Sequence, residues 1–351
     1  MARFSVWLIF SALALAASPV WAQGELAVTA GKPWTHAHSG ITVPAKLGGN
    51  PLTRARTFAP QELDVSLSFE PDTARDFLSF YIFRNTNGGV PVWMAQAQWS
   101  IENRGAFAGA KLAAPPEPFT PPGQAVASGL RAVYATPDAT GYKSTGVALL
   151  PLGDWYVKLR ATSRDKSPAE LAQAMDGWLK EIGWPKNAPA ASAALPLIPC
   201  AEPLVFKGTA KDAKGDMMKG ALAGALVSAA AGERKGAPEQ IQWCRDSALD
   251  GNKAAYRPDA ANNAYLLAVG DNGDGVWVAP SIAGAVDSDG KTASYGVTLK
   301  MAAEDLIFVA QDRLPSPART MEIVNAGEVT SSVTTWGKKR DIRINSGTKE
   351  K

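Results

Sequence analysis

The N-terminal 22 residues constrain this chain most, because they decide where it folds. Arg3 and the amino terminus form a short positive region, and Val6–Ala17 (VWLIFSALALAA) is an apolar stretch of secretory length. Val20-Trp21-Ala22 then places small residues at the positions that precede a cut between Ala22 and Gln23. Ser11, Ser18 and Pro19 interrupt the stretch, which is shorter than a bilayer requires. The expectation is a cleaved leader and a mature product that is periplasmic or secreted.

Export gives the cysteines a meaning. The chain has two, Cys200 and Cys244, and both lie beyond the leader. In an oxidising compartment a lone pair reads as a disulfide, and the C-x-x-C spacing of a redox-active pair is absent. Two cysteines and two histidines do not furnish an all-thiolate zinc site or a His-rich centre. A net charge of +3 over 351 residues is too mild to imply a nucleic-acid partner. Hydrophobic residues make up 46% of the chain, enough for a sizeable core.

Pro185–Pro199 (PKNAPAASAALPLIP) carries prolines too densely for a helix or sheet interior and reads as a connector. It divides the chain into a leader (1–22), a first domain (23–184), the linker (185–199), a second domain (200–336) and a basic tail (337–351). In the first domain Asp64–Phe69 alternates, with Val65, Leu67 and Phe69 on one face, and Phe77–Phe83 is a second strand. Pro91–Arg104 reads as a helix opened by proline. Strands follow at Leu130–Thr136, Gly146–Leu150 and Trp155–Ala161, the last two joined by a Pro151–Asp154 turn. Ser167-Pro168-Ala169-Glu170 is a capping box, and Leu171, Met175, Trp178, Leu179 and Ile182 continue it as one apolar helix face.

The second half suggests a short strand at Leu204–Lys207 and an Ala-rich helix at Asp216–Ala231. Strands are suggested at Tyr265–Val269, Val276–Val278 and Tyr295–Lys300, separated by turns at Gly270–Gly275 and Asp287–Gly290. The fold class expected is α+β: two domains, each a mainly antiparallel sheet with helices packed on one side. An order of Tyr, Pro-Asp-Ala, Leu-Leu-x-x-Gly-Asp and Trp runs from Tyr134 to Trp155 and again from Tyr256 to Trp277. Duplication or a shared hairpin vocabulary would each produce it.

Candidate chemistry is sparse. His36 and His38 would face one way on a strand and are the candidate metal ligands, but no third histidine exists to complete a site. Asp271, Asn272 and Asp274 miss the calcium-loop pattern and read as turn residues. Ser163-x-x-Lys166 lacks the companion elements of penicillin-recognising enzymes, and no G-x-S-x-G occurs. No cofactor, metal or catalytic group is assigned. Nine of the 11 tryptophans lie beyond the leader and read mainly as core, with some free for contact. The tail carries a net +4, suited at most to weak contact with an acidic surface. The function expected is a non-catalytic exported protein, not membrane-spanning, that binds an envelope protein or a small ligand. The alternative is a hydrolase of envelope material, marked by a pocket holding several titratable groups of shifted pKa.

Overall fold

A computed structural model describes residues 24–70, 75–103, 105–213, 224, 240–248, 254–281 and 294–345. The leader, nearly all of the Ala-rich segment, the Asp287–Gly290 turn and the end of the basic tail lie outside the described residues.

Two large sheets dominate. The first has ten strands and is built within residues 24–163; the second has nine, within residues 198–344. Among the described residues every pairing in them is antiparallel except Ile198–Pro199 beside Cys244–Arg245. The second sheet runs almost wholly as a meander, each strand pairing with the next in sequence. Three α-helices lie wholly among the described residues: α1 (Val90–Asn103), α2 (Pro168–Glu181) and α3 (Pro317–Ala326).

The α+β expectation of helices on one side of each sheet is overturned: strand far outweighs helix, and the chain is mainly β. The helices also fall on opposite faces of the first sheet. α2 packs with Ala148, Leu150, Val157 and Leu159, whereas α1 packs with Val147, Leu149 and Tyr156. The cause is visible at Val147–Leu150, where neighbouring residues point to opposite faces and all are apolar. Such a continuous run belongs to a strand covered on both sides.

Local chemistry explains the helix ends. Ser167 accepts from the Glu170 backbone N–H, and the Glu170 carboxylate accepts from the Ser167 backbone N–H, a reciprocal cap worth about 1 kcal/mol. α3 opens in the same way, with Ser316 accepting from Arg319 N–H and Pro317 in the first turn, and it ends at Gly327 in the left-handed region. Leu204–Lys207 forms no strand.

The core is continuous between the sheets. Trp93, Ala97 and Ile101 of α1 share one apolar cluster with Trp243, Tyr256, Leu266 and Ala268 of the second sheet. Cys200 and Cys244 form a disulfide that ties the Pro/Ala-rich stretch to the first long strand of that sheet. Arg257 Nε donates to Cys200 Sγ (3.2 Å) and pairs with Asp246 Oδ2 (2.9 Å), so the bridge sits in a buried ionic setting. No helix among the described residues is long and apolar enough to cross a membrane.

Candidate functional site

The edge of the sheet-to-sheet contact away from α1 is polar and opens into a cleft. Strand register builds its floor. Asp64 lies opposite Phe83, Phe83 opposite Tyr156, and Tyr81 opposite both Ser66 and Lys158, so all six share one face. That face looks at the second sheet, while Val65, Leu67 and Phe69 point the other way into the α2 cluster.

The second sheet answers with the loop between Tyr265–Ala268 and Gly275–Pro280. Gly273 takes φ +94°, and a Cβ there would lie 2.9 Å from the Arg84 carbonyl oxygen, so only glycine permits the approach. Thr86 Oγ1 and Asn87 Nδ2 donate to the Gly273 carbonyl at 3.0 and 2.9 Å. Lys158 is buried over the Tyr81 ring and donates to Asp271 Oδ2 (3.0 Å) and to the Asp271 carbonyl (2.8 Å).

Asn272 makes the central contact. Its Nδ2 donates to Asp64 Oδ2 and to Asp274 Oδ2, each at 3.1 Å, so one amide bridges carboxylates of the two sheets. The two accepting oxygens are therefore no more than 6.2 Å apart. Burial pushes the Asp64 carboxyl up to about 7, with Asp274 and Asp271 adding to the rise and Asn272 and Lys158 opposing it. Burial likewise pushes Asp274 up to about 6, against hydrogen bonds from Asn272 and the Ala302 backbone. Neither carboxylate forms an ion pair among the described residues.

Both line a solvent-open cleft that encloses about 80 Å³, with Phe58–Pro60 on one wall and Met301–Ala303 on the other. Each wall is pinned. Arg84 Nη1 donates to the Ala302 carbonyl (2.8 Å) and to Thr335 Oγ1 (3.0 Å), and its guanidinium lies 4.9 Å from the Trp336 ring centre.

The histidines pin the other wall. Gln61 and Glu62 both have positive φ, which turns their carbonyls toward the rings. His36 Nε2–H donates to Glu62 O (2.9 Å), and its Nδ1 accepts from Ser39 N–H (3.3 Å). Both nitrogens of His36 are thus engaged, and burial lowers its pKa. His38 Nε2–H donates to Gln61 O (2.9 Å), and its ring packs between Trp155 and Trp336. The candidate metal ligands therefore position a loop. No group of three or more His, Cys, Asp or Glu among the described residues is placed to hold a metal ion.

Other sequence candidates are accounted for by local bonding. Ser163 is buried, its Oγ accepts from the Asp165 and Lys166 backbone N–H groups, and Lys166 Nζ turns to Asp76. The two Leu-Leu-x-x-Gly-Asp segments are both hairpins, but Tyr134 lies opposite Thr145 whereas Tyr256 lies opposite Leu266. Their registers differ, which fits a shared hairpin vocabulary.

No protein-family model, curated protein or solved structure matches this chain. Asp271, Asn272 and Asp274 were visible in the sequence as turn residues; Asp64 was visible only as the polar start of an alternating strand.

Proposed function

We propose that this is an exported binding protein whose ligand site is the cleft between its two sheets. The observation that carries the reading is the pair of shielded carboxylates, Asp64 and Asp274, placed in a solvent-open cleft without a bonded cation among the described residues. Titratable groups of shifted pKa gathered in a concave site are the physical mark of a functional site. The enclosed volume of about 80 Å³ is below that of pockets for whole small molecules, which supports a ligand of a few atoms or the polar end of a larger one.

On this reading residues 23–184 and 200–336 are two units joined at 185–199, the leader is removed on export, and the disulfide suits an oxidising compartment. Lys338, Lys339, Arg340 and Arg343 lie exposed near Trp336 and would add weak attraction to an acidic surface.

A second reading, a hydrolase of envelope material, is favoured by two carboxyls facing one cleft whose pKa values burial raises, the setting in which a carboxyl serves as general acid. One experiment separates the two. Protein recovered undenatured from its own compartment should carry a small-molecule adduct in native mass spectrometry, and Asp274→Ala protein should not. Adduct-free wild-type protein refutes the binding reading. Release of soluble fragments from envelope material by wild-type but not Asp274→Asn protein would replace it with the hydrolase.

A further inference from the structure

We propose that the Asp64–Asn272–Asp274 bridge is a proton-dependent clasp, holding the sheets together at the cleft while the pair retains a proton and loosening when both carboxylates ionise. The inference needs no ligand and stands apart from the binding reading. Its basis is the geometry of the interface. One amide supplies a single proton to each carboxylate, from opposite sheets, across no more than 6.2 Å. A retained proton leaves one negative charge and adds a hydroxyl donor. Its loss leaves two like charges facing each other in a site shielded from water.

The surrounding charges relieve this only in part, Lys158 opposing the rise at Asp64 and Asp271 adding to it. Lys158 is bound to Asp271 on the same loop. Arg84 is directed at Ala302 and Thr335, with Asp154 and Asp305 nearby, and Asp305 is paired with Lys300. Glu304, whose pKa burial raises, pairs in register with Thr334, and the Glu62 carbonyl is held by His36. His38 is bound to Gln61 O, and buried His36 is held toward its neutral form. The apolar cluster around α1 and Tyr256 holds the far side of the interface, so loosening is confined to the cleft.

Amide hydrogen exchange, corrected for intrinsic rates, tests the clasp. The reporters are Phe58 N–H, bonded to Asp64 O, and Val269 N–H, bonded to Asp274 O. Their protection should fall about tenfold or more between about pH 5 and about pH 8, while the Trp155–Ser163 strand keeps its protection. The Asp64→Asn/Asp274→Asn double variant should show no such fall. Constant protection in the wild-type protein, or a fall that the double variant retains, overturns the proposal. If the variant does not fold, carboxyl-carbon titration of the wild-type protein decides. Two aspartates titrating above about pH 5 support the clasp and none refutes it.

Discussion

Replacing Asp64 by Asn should strengthen the fold at alkaline pH and weaken it modestly in acid. The native carboxyl titrates near 7, against an ordinary value of 3.8, because the side chain is buried. The native state therefore holds its proton more tightly than the unfolded chain does. Stability from this proton is complete below the unfolded value and is lost as pH rises through the native one. At about 1.4 kcal/mol per unit, the loss between pH 4 and pH 8 approaches about 4 kcal/mol. Asparagine does not ionise, and its Oδ1 still accepts from Asn272. Its own amide donors lack a ready partner, at a cost of about 1–2 kcal/mol. The Asp64→Asn protein should thus exceed wild type by about 2–3 kcal/mol at pH 8 and trail it by about 1–2 kcal/mol at pH 4. Urea unfolding followed by tryptophan fluorescence at both pH values reads this directly. A lower urea midpoint for the variant at pH 8, or a wild-type midpoint that does not decline from pH 5 to pH 8, would refute the reasoning.

His36 should act with the opposite sign: its pKa is lowered, so the unfolded chain takes up the proton first and stability falls as pH drops below about 6.5. Removing it as His36→Ala should cost about 2–4 kcal/mol in chemical denaturation and abolish that acid slope, since Glu62 O loses its donor and Trp155 its ring contact. Cys200→Ser with Cys244→Ser opens a loop of 44 residues, for which chain entropy predicts a loss of about 4 kcal/mol, seen as a lower melting temperature that reductant no longer affects. Arg84→Met should cost about 2–3 kcal/mol by calorimetry, because the Ala302 carbonyl and Thr335 lose their shared donor, and it should accelerate exchange at Met301–Ala303.

The sequence made some elements plain and concealed others for physical reasons. α2 was legible from Ser167, Pro168 and Glu170 together with a full apolar stripe. α3 begins with the same Ser-Pro pair and ends at Gly327, yet Met321, Ile323 and Val324 make too thin a stripe to announce it. The Asn50–Thr57 strand was concealed by Pro51, Arg54 and Arg56, which break alternation along a strand whose outward side chains are exposed. Gly146–Leu150 reads as a strand from its sequence, and its unbroken apolar run is the sign of cover on both faces, which helices on one side of the sheet do not provide. The cleft was the least accessible part. Asp64 and Asn272 are 208 residues apart, and neither a strand start nor a turn states what it will face.

The two halves of the interface divide the work of holding the sheets. The α1 side buries Trp93, Trp243 and Tyr256, and non-directional apolar burial of that kind supplies most of the association energy. It does not fix one sheet's register against the other. The polar side does, since Gly273 reaches the Arg84 carbonyl only at one register, and Lys158 and Asn272 find their partners only there. A seam serving register alone would gain from apolar replacements, because buried ionic groups return little net stability. Two buried carboxyls with no ion pair among the described residues exceed what register demands, and they lie where the seam opens to solvent. The groups that weaken the fold at neutral pH are thus the ones a ligand or a proton can reach, and this coincidence ties the cleft to function.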